Sequence, residues 1–248
     1  DLWIQRLDGD APPSRFTTDP DVDHLASFSP DGGAVAWEAH SGGELIVVRK
    51  PIDGRSEPER IGRWGLAGGT SDWSPDGRHL LYHSTDEGGS TNLWMVPLSG
   101  DDEPFPLVQS PFNHRTGQFS PDGRWLAYTS DETGADEVYL QRLEGTRVVG
   151  AAVRVSDGGG REPQWRGDGG ELFFLSDEGL MAVDTRLDRA SPAGTPQLLF
   201  SLRGEHPLNN YAVTPEGDRI LAIVPGEERD GGAATVVLNW GSGVELGG

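Results

Sequence analysis

The 248-residue chain contains no cysteine, which excludes a disulfide framework, a thiolate metal site and a cysteine nucleophile. Lysine is almost as scarce. Lys50 stands alone beside 19 arginines, and these 20 basic residues face 40 acidic ones, for a formal charge of −20. So acidic a chain lacks the basic footprint that phosphate binding requires, and nucleic acid is excluded as an expected partner. No run approaches 18 consecutive apolar residues, so direct membrane insertion of this segment is not expected. The first residue is Asp1, with neither Met nor a charged-then-apolar leader, and the chain reads as a processed protein or as a segment tethered through an upstream part of a longer one.

Motifs for chemistry are also missing. No Gly-x-Ser-x-Gly elbow, His-Glu-x-x-His pair, phosphate-binding glycine loop or dinucleotide fingerprint occurs, so no catalytic residue, metal or cofactor is expected. The six histidines, at 24, 40, 79, 83, 114 and 206, show no zinc-ligand spacing. The acidic stretches Asp86-Glu87 and Asp101-Asp102-Glu103 lack the oxygen spacing of a calcium loop and read as solvated turns.

What the chain does have is glycine, proline and repetition. Its 36 Gly and 18 Pro interrupt any helical periodicity, while 35% hydrophobic residues leave enough to bury a core. Three segments match closely: Phe28-Ser29-Pro30-Asp31-Gly32, Trp73-Ser74-Pro75-Asp76-Gly77 and Phe119-Ser120-Pro121-Asp122-Gly123. Two worn copies follow, Trp165-Arg166-Gly167-Asp168-Gly169 and Val213-Thr214-Pro215-Glu216-Gly217. The turn acids at 31, 76, 122, 168 and 216 recur at spacings of 45 to 48 residues.

Pro-Asp-Gly is hairpin-turn chemistry, with a preset φ at proline and a glycine free to adopt positive φ. Strand-like runs flank each copy, as in Arg124-Trp125-Leu126-Ala127-Tyr128-Thr129, and a third strand follows at Glu137–Arg142 with a weaker fourth near Val153–Val155. Four short antiparallel strands every ~45 residues predict an all-β fold, a β-propeller of four-stranded blades in a single domain over 1–248. Asp31, Asp76, Asp122 and Asp168 are accordingly expected to brace their own turns.

Five repeats are visible, plus a partial N-terminal blade in residues 1 to 18. Either Arg15-Phe16-Thr17-Thr18 completes the last blade of a five-bladed ring, or the parent ring has six or seven blades. The match of Asp1-Leu2-Trp3-Ile4 to Asn92-Leu93-Trp94-Met95 favours the larger ring, with six as the expectation.

The Ser-Pro-Asp-Gly turns resemble those of the TolB-like propeller family, the WD40-like repeats of bacterial extracytoplasmic proteins. The closing Thr235-Val236-Val237-Leu238-Asn239-Trp240 is similar to the end of propellers that serve as sensor domains of bacterial transmembrane serine/threonine kinases. The resemblance implies an extracytoplasmic, non-catalytic sensor or protein-binding domain. It equally admits the gating propeller of a prolyl-oligopeptidase-like serine peptidase, or a TolB-type envelope scaffold, because one fold carries many functions.

In a propeller, the loops entering the innermost strands surround one mouth of the channel. Counting seven residues back from each turn acid places His24, Gly69, Arg115, Arg161 and Asn209 there, with His114 and Tyr211 close by. Gly69 is expected to leave an opening. His24, Arg115, Arg161, Asn209 and Tyr211 are therefore the candidate ligand contacts, and two guanidiniums on an acidic body suit a small anionic ligand or an acidic peptide or protein segment.

Overall fold

A computed structural model describes residues 1–5, 12–18, 23–41, 44–53, 55–63, 68–99, 103–189, 191–201, 211–223 and 234–238. The described residues contain strands and turns and no helix. The chain divides into two compact units, 1–115 and 116–248.

The first unit opens with a two-stranded pair, β1 (Trp3–Ile4) and β2 (Ser14–Arg15). A four-stranded antiparallel meander follows, β3 (Asp23–Phe28), β4 (Ala34–Ser41), β5 (Glu44–Pro51) and β6 (Glu59–Arg63). The next is β7 (Gly68–Trp73), β8 (His79–Thr85), β9 (Thr91–Pro97) and β10 (Phe105–Val108), again in sequence order across the sheet. Arg15 pairs with Trp3 of β1.

The second unit takes up most of β11 (His114–Phe119), followed by β12 (Trp125–Ser130), β13 (Glu137–Glu144) and β14 (Arg147–Arg154). A second sheet comprises β15 (Arg161–Trp165), β16 (Glu171–Leu175), β17 (Leu180–Asp184) and β18 (Gln197–Phe200). Three further strands, β19 (Tyr211–Val213), β20 (Arg219–Ile223) and β21 (Ala234–Leu238), form the last sheet among the described residues.

Strand alternation decides which side chains are buried where. On β4, Val35, Trp37 and Ala39 face one way and pack with Phe16, Ile46 and Val48, while Leu2 and Ile4 of the N-terminal segment cover them. The alternate residue Ala36 faces the other way, into a cluster with Val47, Trp73, Leu80, Tyr82 and Val96. Glu38 continues that second row, only 2% exposed. The second unit repeats the scheme: Leu172 and Phe174 join the cluster of Ala127, Val138 and Trp165, whereas Phe173 and Leu175 join Leu180, Tyr211 and Ile220.

The turns show why their sequence recurs. Ser29 donates to Asp31 Oδ1 at 2.6 Å, the same oxygen accepts from the Gly33 amide at 2.9 Å, and Ser29 Oγ accepts from the Ala34 amide at 2.9 Å. Asp76 and Asp122 repeat the arrangement with Ser74 and Ser120, again at 2.6 Å. Gly32, Gly77 and Gly123 hold φ of 67° to 69°, in the left-handed region that glycine enters without steric cost. The fourth turn has lost serine and proline, and Arg166 takes over: its Nε donates to Asp168 Oδ1 at 2.7 Å, and the Gly170 amide donates to the same oxygen at 2.8 Å. These bonds hold the Asp31 and Asp168 carboxyls below the usual range, chiefly through Ser29 and Arg166 respectively. Asp86 is likewise occupied locally, accepting from the Ser90 amide and from Asn92 Nδ2.

Candidate functional site

The register of the first two strands supplies three of the counted positions with partners that sequence counting missed. His24 lies opposite Glu38, Gly69 opposite His83 and Arg161 opposite Leu175. Each partner stands seven residues after its turn acid, as each candidate stands seven before it, because the two strands run away from a common turn. The mirror count forward was the available signal.

One residue further along, the innermost strand bulges. Register shifts fall between His24 and Ser27, between Thr70 and Asp72, and between Arg161 and Gln164. Three residues six positions before a turn acid, Leu25, Thr116 and Glu162, carry φ of 52°, 47° and 55°. Left-handed backbone at leucine, threonine or glutamate is strained, and here it re-aims the strand end. Its recurrence at one place in three repeats makes it part of the scaffold.

The candidates fare differently. His24 sits on β3, and its side chain lies outside the described residues, as does Asn209 altogether. Arg115 is the second residue of β11 and half-buried. Arg161 opens β15 and reaches Asp177 at 3.7 Å. Tyr211 opens β19, buried, and its hydroxyl donates to the Glu162 carbonyl at 2.5 Å while its own carbonyl accepts from Gln164 Nε2 at 2.7 Å. It is a strut between β15 and β19, and burial raises its phenol. His114, fully buried, lies with Nε2 2.6 Å from Ser110 Oγ.

Gly69 corrects an expectation. A Cβ built there would lie 2.1 Å from Leu25 Cδ1, so the space is filled by the leucine of the strained bulge and is not open. The same point is 3.2 Å from Glu38 Oε2 and 3.3 Å from His83 Cε1. At Gly69, side chains from β3, β4 and β8 thus meet near one point, a leucine methyl, a carboxyl and an imidazole.

Burial dominates the electrostatics of this cluster. It pushes the Glu38 carboxyl up to about 7, because burial disfavours the charged form. Burial also pulls the His83 imidazole down to about 4, and the Arg115 guanidinium adds to that. Tyr82, on β8, is raised by burial and by Glu38. Ser71 Oγ lies 3.3 Å from His83 Nδ1. Between about pH 4 and 7 the folded cluster therefore holds a neutral acid, a neutral imidazole and one cation.

The profile of the TolB beta propeller domain matches residues 27–207, about three-quarters of the chain. Solved structures share the fold at low identity. TolB from Acinetobacter baumannii superposes with a TM-score of 0.74 at 18% identity, covering 96% of this chain and 57% of that one. A TolB homologue from Agrobacterium tumefaciens gives 0.62 at 18% identity, covering 86% and 73%. A puromycin-hydrolyzing peptidase from Mycobacterium tuberculosis gives 0.51 at 16% identity, covering 82% and 42%. The chain thus spans little more than half the length of the Acinetobacter protein. No curated protein matches it.

Proposed function

We propose that this chain, which belongs to the TolB beta propeller family, is a non-catalytic binding domain, an extracytoplasmic sensor or interaction module of a larger bacterial protein, with linkage to a kinase as the preferred context. Its ligand is an anion, a small carboxylate or an acidic peptide, held at Arg115. One observation carries the reading: Arg115 acts electrostatically on His83, which with the buried Glu38 approaches one point at Gly69, on a chain of net charge −20. The acidic body repels anions elsewhere, so a local guanidinium selects where one docks.

Catalysis fits the cluster poorly although serine, histidine and acid all occur in it. A base that activates Ser71 needs a pKa near the working pH, and His83, at about 4, is a weak base there. Extracytoplasmic placement rests on the family resemblance, and it is compatible with the absence, among the described residues, of any helix long and apolar enough to cross a membrane.

Calorimetry with triglutamate and citrate, against trilysine as control, tests the reading. Charge-assisted bonds contribute roughly 1.5 to 3 kcal/mol each, so Arg115→Ala should weaken the anions at least tenfold, and added salt should weaken them further. Equal affinity of parent and variant would overturn Arg115 as the anchor.

A further inference from the structure

Position seven after the turn acid is occupied in turn by Glu38, His83, Thr129, Leu175 and Ile223. The scaffold accepts an apolar residue there without difficulty, since Leu175 is fully buried within its cluster. Threonine serves it structurally too: Thr129 Oγ1 accepts from the Glu162 amide at 3.2 Å and lies 2.8 Å from Thr116 Oγ1. Glu38 and His83 are the departures, neighbours in successive repeats, and a buried carboxyl costs stability that a leucine would not.

The geometry points to a proton-linked carboxylate subsite, in which Glu38, as the neutral acid, donates to the carboxylate of the ligand while Arg115 supplies the opposing charge. The inference rests on the anion-binding reading above and names how that site works. Three features support it. Glu38 Oε2 and His83 Cε1 approach one point, which Leu25 fills with a terminal methyl, the most easily displaced part of a side chain. Leu25 itself sits on strained backbone, φ 52°. Arg115 is near enough to depress His83.

Among the described residues, the titratable groups on the neighbouring strands are placed as follows. Across β3 the register partner of Glu38 is His24, and across β5 it is Val47. On β8 it meets Tyr82, whose phenol is held protonated, and His83 beyond Gly69. Asp72, the acid of β7, lies past the bulge opposite Leu81, and Asp23 on β3 is engaged by Trp37 Nε1 at 2.9 Å.

The proton balance is simple. Above about pH 7 the unliganded Glu38 is ionised. A carboxylate that displaces the Leu25 methyl would bring a second anion beside Glu38, so one proton passes from solvent to Glu38 as the ligand binds, and no covalent bond changes. Below that pH the acid is already neutral and no proton is taken up.

The test uses the full chain and triglutamate. Titration calorimetry at pH 8 in two buffers of different ionisation enthalpy reads the protons exchanged, and affinities are compared at pH 6 and 8.5. Close to one proton taken up at pH 8, with affinity falling about tenfold per pH unit above 7, supports the subsite. Glu38→Gln should bind with the same affinity at both pH values and exchange no proton. Carboxyl-carbon NMR of the glutamate-labelled parent chain gives a readout that needs no variant: the resonance titrating near 7 should move up by a unit or more on saturation with triglutamate. Binding at Arg115 without proton uptake, or with that resonance unmoved, overturns the subsite and leaves the anion reading standing. Absence of triglutamate and citrate binding at both pH values overturns the anion reading and the subsite together.

Discussion

In the unit of residues 1–115, the strand after the turn carries Glu38 and His83 at its seventh position, and in the unit of residues 116–248 the equivalent strands carry Thr129, Leu175 and Ile223. The backbone around Glu38, His83 and Leu175 is the same: a Ser-Pro-Asp-Gly turn or its worn form, a bulged first strand and a register partner seven residues before the acid. Leu175 completes an apolar cluster with Phe173, Leu180 and Ile220. Glu38 interrupts one that starts with Ala36 and Val47. The position serves packing at Leu175 and hydrogen bonding at Thr129, and is ionisable at Glu38 and His83, which locates the candidate chemistry in the first unit without reference to any motif.

The comparison breaks most severely if the acid is moved. Leu175→Glu places a carboxyl in the apolar cluster, and although Arg161 lies opposite in register, a buried ion pair seldom matches the hydrophobic residue it replaces. The expected loss is roughly 3 kcal/mol, a fall in Tm of about 6 to 12 °C at pH 8 by calorimetry or circular dichroism. An unchanged Tm would show that the second unit tolerates the acid as well as the first, and that Glu38 signifies nothing.

The converse change should stabilise. Glu38 titrates at about 7 when folded against an ordinary 4.5. The raised value means that as pH climbs from 4.5 the unfolded chain ionises first, so stability is lost between 4.5 and 7, and the loss is complete above that. Glu38→Gln should therefore raise stability at pH 8 by up to about 3 kcal/mol and leave it unchanged at pH 4, measured by urea denaturation at both pH values.

His83 runs the other way. Held at about 4 against 6.5, it costs stability as pH falls from 6.5 to 4 while the unfolded imidazole protonates. In the parent the two slopes oppose each other between 4.5 and 6.5, and stability should be nearly flat there. Glu38→Gln should expose a rise with pH over that window and His83→Gln a fall. A parent curve that tilts strongly in either sense would mean that only one of the two groups is perturbed.

The smallest effect sharpens the contrast between turn and site. Asp122→Ala removes the acceptor for Ser120 and for the Arg124 amide, on the scale of about 1 kcal/mol or a Tm lower by 2 to 4 °C. Triglutamate affinity should be untouched. Lost binding at constant Tm would transfer the functional role from the strand ends to the turns.

Much of this molecule was legible in its sequence because local chemistry carried it. Pro-Asp-Gly turns fold by bonds within six residues, the alternation along Val35, Ala36 and Trp37 needs only the pleat, and a 45-residue period needs only counting. Arg115 was reached by the same count. What it could not reach were quantities set by chain segments far apart: the bulge that turns Leu25 over Gly69, the burial that makes Glu38 a neutral acid, and the use of the Tyr211 hydroxyl by the carbonyl of Glu162, 49 residues away. A carboxyl's charge and a glycine's emptiness are decided by neighbours that only tertiary packing brings. Sequence therefore determined the repeat, its turns and the positions where Glu38 and His83 depart from it, and tertiary structure alone decided their burial and their approach at Gly69.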